Sequence, residues 1–292
     1  MTDSQVDGRP IEQPGSAAPS VAIGVDVGGS GIKAAVVDTS SGQFISERLR
    51  VVTPQPSTPD RVIATIGRLV RRLVKSVDIA DTAPIGVGLP GVAIDGELKT
   101  AANIDPAWVD YPVGQRLSTL LKRRVEIVND ADAAGIAEMR FGVAAGRPGT
   151  VIFLTLGTGV GSGVFVDGTL VPNTEFGQME IRGRPAERRS AAVARTRRGL
   201  SWKAWAQDLD EHLQRIEDLM WPNLFILGGG VSKNGDKFIP RLTTRTPVVA
   251  AKLRNDAGII GAAVVAVEGL RDAATTFDDL PGGSPRPGAA LP

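Results

Sequence analysis

Apolar positions along this chain follow two patterns: short unbroken runs that stop on glycine, and longer stripes at three- and four-residue steps. The first kind opens with IGVDVGGSGIK, Ile23 to Lys33, a buried strand that carries one acid into Gly28-Gly29-Ser30-Gly31 and returns as a second strand over Ile32 to Val37. Gln43 to Val52 is predicted as a third strand, and the three prolines of Thr53–Pro59 exclude regular structure there. Between Asp60 and Val77 the apolar positions 62, 63, 66, 69, 70, 73, 74 and 77 form a helical stripe with arginines opposite. Ile85–Leu89 is a strand ending at Pro90-Gly91, and Val92–Leu98 a hairpin about an Asp-Gly turn. A helix over Val113–Lys122 and a strand over Val125–Val128 follow, the strand delivering Asn129-Asp130 to the start of a helix over Ala131–Phe141.

The opening pattern then returns. Val151–Leu156 is an apolar strand, Gly157-Thr158-Gly159-Val160-Gly161-Ser162-Gly163 a glycine-rich turn, and Val164–Val166 the strand coming back. Trp202, Trp205, Leu209, Leu213, Ile216 and Leu219/Met220 mark a helix with tryptophans in its core-facing stripe. Leu224–Leu227 runs into a third glycine turn, Gly228-Gly229-Gly230, Val248–Leu253 reads as a short strand or an extended segment, and Asp256–Val267 as a small-residue helix able to lie close on a sheet. Two hairpins of one build, half a chain apart, predict two similar lobes with a cleft between them.

The glycine turns leave backbone N–H groups unobstructed and so make anion sites, with Lys33 close by; Asp26 makes sense beside phosphate only through a bridging cation or water. Taken alone, the first turn also reads as a plain tight hairpin. Gly86-Val87-Gly88-Leu89-Pro90-Gly91 matches G-x-G-x-x-G, but a hairpin follows where a dinucleotide site needs a helix, so the glycines are read as bringing backbone close to a ligand or another strand. Asp130 or Asp132 could equally be a helix cap.

Composition narrows the chemistry. The 292 residues hold 33 Lys and Arg against 32 Asp and Glu, so any polyanion site must be local, and nucleic acid or membrane partners are not expected. The absence of cysteine excludes disulfides, thiolate metal sites and a cysteine nucleophile. The polar N-terminus is unlike a signal peptide, which predicts a cytoplasmic protein; residues 1–20 and 269–292 are predicted to be disordered. Residues 182–203 hold eight cations and one acid, Glu187, either a solvated arginine-rich face or a surface for a long polyanion. His212, the one histidine, is predicted at the surface or an interface, and it lies in none of the glycine turns, which favours a carboxylate as general base.

Backbone donors, a cation and a base-forming carboxylate are what phosphoryl transfer asks for. At this point the chain resembles the sugar kinases of the actin/hexokinase/Hsp70 superfamily, in the ROK group, and within it the polyphosphate glucokinases. The resemblance rests on Asp26 to Lys33, Leu89-Pro90-Gly91, Asn129 to Gly135, Leu156 to Ser162, Pro172 to Gly177 and Gly228 to Ser232, in the family's order over about residues 21–267. It implies an α/β, two-lobed actin-like ATPase (ribonuclease H-like) fold, with residues 21–145 plus 255–268 as the smaller lobe and 146–254 as the larger. It implies phosphoryl transfer from inorganic polyphosphate or ATP to the 6-hydroxyl of glucose or mannose, with Mg²⁺, and a homodimer, the helix from 201 to 220 being the candidate interface. Asp130 would be the base, and Asn129, Glu175, Gln178, Glu180 and Gly91 would meet the sugar. Asp26 would organise Mg²⁺ through water. Gly28, Gly29, Ser30, Gly31 and Lys33, with Gly157, Thr158, Gly159 and Gly161, would hold donor phosphates, and Gly228, Gly229 and Gly230 would flank adenine. The sequence departs from the family's Glu-Phe-Gly-His at Gln178, which bears on sugar choice and rate. Two other readings fit the resemblance: a non-catalytic or altered-specificity paralogue that binds sugar, and a ROK regulator, for which the first 20 residues are too short and polar to form a helix-turn-helix.

Overall fold

The computed structural model describes residues 20–101 and 104–269; apart from Ser20 and Gly269, the tails that the sequence marks as disordered lie outside them. In chain order the elements are β1 (Val21–Gly28), β2 (Gly31–Asp38), β3 (Gln43–Phe44), β4 (Leu49–Val51), α1 (Pro59–Ser76), β5 (Ile85–Leu89), β6 (Ala93–Ile94), β7 (Glu97–Leu98), α2 (Val113–Leu121), β8 (Val125–Asn129) and α3 (Asp130–Phe141). There follow β9 (Thr150–Leu156), β10 (Val160–Val166), β11 (Thr169–Val171), β12 (Glu180–Ile181), β13 (Arg184–Pro185), α4 (Glu187–Ser190), α5 (Ala192–Arg197), α6 (Trp202–Met220), β14 (Leu224–Gly228), β15 (Val248–Ala250) and α7 (Ala257–Glu268).

Two sheets share one build. The first runs β3-β2-β1-β5-β8, with β4 also on β2, and the second β11-β10-β9-β14-β15. In each, an antiparallel hairpin around a glycine turn is extended by two parallel strands. All three glycine turns therefore sit at strand ends. The predicted strand over Gln43–Val52 is broken instead into β3 and β4. Ser46 Oγ accepts from the Val36 amide at 2.9 Å, so a side chain stands in for the ladder partner there and the chain bulges.

The layers follow from which faces are apolar. One face of the first sheet packs with Val62, Ile66, Leu69 and Leu73 of α1 and Leu117 of α2. Its other face shares a core with α3, α7 and the second sheet, through Ala35, Ala137, Phe153, Phe165 and Ile259. On the far side of the second sheet lies α6, held by Trp205, Leu209, Leu213 and Ile216. Each such burial contributes about 1.5–3 kcal/mol, against about 1 kcal/mol for its Ser201 N-cap, so packing rather than capping fixes that helix. The α6 stripe stops short of its expected end: Leu219 is 70% exposed.

Glycine permits the central layer. A Cβ on Gly24 would overlap the Ile259 carbonyl, one on Gly86 the Ala262 carbonyl, and one on Gly261 the Ala133 carbonyl, so α7 lies backbone to backbone on β1, β5 and α3. Within the Gly86-to-Gly91 motif, Gly86 thus serves a helix, where the sequence suggested a ligand or another strand, while Gly91 at its end lines a cleft. No helix among the described residues is long and apolar enough to cross a membrane.

Candidate active site

A strand that ends by handing its last residue to a helix cap puts the following side chain at a mouth, and β8 does this with Asn129. Its Oδ1 accepts from the Ala131 and Asp132 amides at 2.8 and 3.0 Å, and its Nδ2 donates to the Gly91 carbonyl at 3.1 Å. Asn129 is therefore the N-cap of α3, which removes the reading of Asp130 or Asp132 as the cap. Both acceptor sites of the amide are used, leaving one N–H free. Asp130, the first residue of α3, is released to face a cleft of 330 Å³.

The lining of that cleft brings most of the sequence-selected residues together. Asp26, Gly28, Gly29 and Lys33 come from the first hairpin, Gly157, Thr158, Gly159 and Gly161 from the second, Gly229 and Gly230 from the third turn, and Gly91, Glu175 and Gln178 from the connections. A Cβ on Gly161 would stand 3.9 Å from Asp130 Oδ1, so the second hairpin closes directly onto the carboxylate. Asp26 and Lys33 are cross-strand partners on one face, and their side chains pair at 2.7 Å.

Burial raises two neighbouring carboxyls, Asp130 and Asp132, and only Asp130 faces the cleft. Burial, then the negative charge of Asp26, pushes its carboxyl up to about 7, with Glu175 adding to the rise and the amides of Ala131 and Asp130 opposing it. Burial first, then the neighbouring Glu187, also raises the Glu175 carboxyl. Asp132, one helical step on, points away from the cleft: its Oδ2 accepts from the Asn173 amide at 2.9 Å, and burial raises it to about 7.

Known proteins of similar sequence and structure give this geometry its context. The ROK family model matches residues 22–180. The polyphosphate glucokinase of Mycobacterium tuberculosis (strain CDC 1551 / Oshkosh) is 44% identical over 257 residues, covering 88% of this chain and 95% of that protein. The chain belongs to the ROK family. The crystal structure of the inorganic polyphosphate/ATP-glucomannokinase from Arthrobacter sp. strain KM superposes with a TM-score of 0.82 at 46% identity, covering 84% of this chain and 98% of that one. A ROK family glucokinase from Streptomyces griseus, solved with glucose and AMPPNP, superposes with a TM-score of 0.73 at 25% identity over 84% of this chain and 99% of that one. The mixed α/β architecture is the actin-like ATPase fold of these ROK sugar kinases.

Several expectations for the ROK site need correction. Glu180 is exposed and lies outside the cleft, at a separate surface with Arg215 and Asp218. It sits in β12 beside Ile181, and because neighbouring strand residues point to opposite faces, the buried Ile181 turns Glu180 outward. Ser30 and Gly31 do not line the cleft: Gly31 pairs back to Gly28 in the hairpin ladder, and the Ser30 carbonyl accepts from Arg50 at 3.2 Å. Gly228 ends β14 under the Phe153 ring, where it too is outside the lining. His212 is wholly buried, not at the surface.

The residues missed by the sequence reading are Glu187 and Arg254. Glu187 enters the cleft, its Oε2 accepting from the Val160 amide at 3.0 Å and its Oε1 from Gln178 Nε2 at 3.2 Å. Its signal was present, as the lone acid in a run of eight cations. Arg254 lines the cleft just ahead of α7, and among the described residues it forms no salt bridge, in contrast to Lys33. Nothing in its sequence surroundings marked it.

Proposed function

We propose that this ROK protein is a sugar kinase that transfers a phosphoryl group from inorganic polyphosphate or ATP to the 6-hydroxyl of glucose. The observation that carries the reading is a carboxylate poised near neutrality, Asp130, set across one cleft from three glycine turns. A base with a pKa near the working pH takes a hydroxyl proton most effectively. Glycine turns whose amides are free hold phosphate without a side chain in the way.

In this reading the sugar lies between Asp130 and the acceptors Glu175 and Glu187, with the free Asn129 N–H and Gln178 meeting other hydroxyls. Asp130 removes the proton from the 6-hydroxyl as that oxygen attacks the terminal phosphorus. Gly28 and Gly29, the amides of Thr158 and Gly159 in the second turn, and Arg254 spread the charge on the moving group, while the Gly157, Val160 and Gly161 amides hold the turn in shape through Gly159, Glu187 and Thr155. When ATP is the donor, Gly229 and Gly230 flank its base. Among the described residues no group of three or more His, Asp or Glu side chains gathers to cage a metal. One cleft carboxylate, Asp26, fits Mg²⁺ instead, since that ion keeps its waters and is shared between a carboxylate and donor phosphates. Mg²⁺ would supply charge neutralisation on those phosphates, and Lys33 beside Asp26 would steady the carboxylate.

The two sheets with their helices would act as lobes that close over the sugar, residues 21–145 with 255–268 against 146–254. A homodimer is part of the same proposal, with Leu219 and Trp221, 70% and 71% exposed at the end of α6, as its apolar contact. Sedimentation of wild type beside Leu219→Glu checks the dimer; an unchanged mass removes that contact.

A matrix of donors (ATP, polyphosphate) against acceptors (glucose, mannose, glucosamine), run for wild type and Asp130→Asn, tests the activity. The expected result is phosphorylation of glucose that drops by about 10²–10⁴-fold in kcat in the variant. No transfer to any sugar from either donor would sink the proposal and leave a sugar-binding ROK protein.

A further inference from the structure

The arginine-rich run is more sharply built than its sequence shows. Arg195 leaves it to stack on Trp202, 3.8 Å from ring to guanidinium. Six of the other arginines surround a second opening of 460 Å³ on the outside of α4 and α5. Three of the six are committed to acids. Arg189 and Arg198 both hold the buried Asp208, the latter at 2.6 Å, and Arg182 holds Glu211 at 2.8 Å. The remaining three, Arg184, Arg188 and Arg197, are exposed and form no salt bridge among the described residues.

Three uncompensated guanidinium groups around one cavity repel one another, and only an anion between them turns that repulsion into attraction. The opening also shares a wall with the cleft. Glu187 lines the cleft and Arg188 lines the arginine pocket, consecutive residues whose Cα atoms are about 3.8 Å apart. The Val193 amide at the head of α5 donates to the Gly157 carbonyl at 3.1 Å, so the same short segment rests on a phosphate-holding turn.

We infer that the arginine pocket is a binding site for a long polyphosphate chain, holding phosphates that trail from the end engaged in the cleft. The inference rests on the donor reading above, and assigns it a second anchoring point. Guanidinium forks suit it, because each can take two phosphate oxygens at once. A nucleotide has too few phosphates to span both openings, so the pocket acts on long chains alone.

The test is the triple variant Arg184→Gln, Arg188→Gln, Arg197→Gln, which leaves the Asp208 pairs in place. With polyphosphate of about a hundred units, KM is expected to rise about tenfold or more, and the dependence of log KM on log salt to lose about three from its slope. KM for ATP and for tripolyphosphate should stay within about twofold of wild type, which also shows that the variant folds. Equal effects on all donors, or no effect on any, would overturn the inference while leaving the kinase reading intact. Direct equilibrium binding of the long chain, without sugar, separates the two ideas. If wild type phosphorylates glucose from ATP alone, the polyphosphate donor reading fails, and the pocket then stands on tighter binding by wild type than by the triple variant and falls if the two bind alike.

Discussion

His212 Nε2 donates to the Phe176 carbonyl at 3.0 Å, linking the middle of α6 to the turn that carries Glu175 and Gln178. A carbonyl only accepts, so the proton sits on Nε2, and Nδ1 takes the hydrogen bond from Ser190 Oγ at 2.9 Å. The imidazole is neutral, because burial lowers its pKa against the opposing pull of the Phe176 bond. Above pH 6.5 folded and unfolded chains are both neutral here and the contribution to stability is complete. Below 6.5 the unfolded chain binds the proton first, so stability drains away until the lower folded pKa is reached. Wild type should therefore lose more Tm than His212→Gln between pH 7.5 and pH 5, checked by thermal melts in matched buffers. Parallel losses would mean that the imidazole does not drive the acid limb. The same variant should raise the KM for glucose more than the KM for donor.

Asp130 gives a pH dependence of opposite sense in stability and in rate. Its folded pKa of about 7 lies above the ordinary 3.8, so ionising it opposes folding, and stability falls as pH rises from 3.8 to about 7. Asp130→Asn should accordingly melt higher than wild type at pH 8, with no such gain at pH 4. Turnover needs the ionised base, so kcat/KM for glucose should fall about tenfold per unit below a limb near pH 7. A wild-type profile flat from pH 5.5 to 8 would remove Asp130 as the base.

These two residues show what a sequence can and cannot reveal about this fold. The place of the Asn129-Asp130 pair was legible because its signals are local, an apolar strand adjoining an alanine-rich helix, whereas the cap was sought in Asp130 or Asp132 and is Asn129. The paired glycine hairpins were legible for the same reason. His212 was not, since what buries it is a carbonyl 36 residues away, on a turn with no periodic pattern. Placing Glu180 at the sugar and passing over Glu187 had a similar cause. The outcome depends on a two-residue strand that sends Ile181 inward and on α4 bringing Glu187 back to Val160, contacts that spacing alone does not carry. The glycines of β1 and β5 were visible, but the helix they admit comes from the other end of the chain.

Gln178 offers a graded test of the sugar site. It is exposed at the cleft rim and donates to Glu187 at 3.2 Å, a neutral group where the family's Glu-Phe-Gly-His pattern has a titratable ring. A histidine there can still donate to Glu187, and when protonated makes a charge-assisted bond, the stronger kind. Gln178→His should raise kcat/KM for glucose several-fold, measured with saturating ATP. An unchanged or lower value would show that the glutamine, with its own reach, is already fitted to this protein's preferred sugar.

Close packing of α7 on the first sheet should be the least forgiving feature of the molecule. At Gly86 a methyl group would fall on the Ala262 carbonyl, and because both partners are backbone, neither can rotate aside. Lifting α7 by the needed distance would also loosen Gly24 against Ile259 and disturb Gly258 over Asp26, so the strain reaches the cleft. Gly86→Ala is expected to cost about 3 kcal/mol or more, at or beyond the upper end of ordinary overpacking. Gly29→Ala is the control: nothing lies within 4 Å of its Cβ, so stability should stay within about 0.5 kcal/mol of wild type. Its methyl would face the cleft, so donor KM should rise while the urea midpoint holds. Urea unfolding of both variants, followed by tryptophan fluorescence, decides the matter; similar midpoints for the two would show that α7 can shift without penalty and that its glycines are not what seats it.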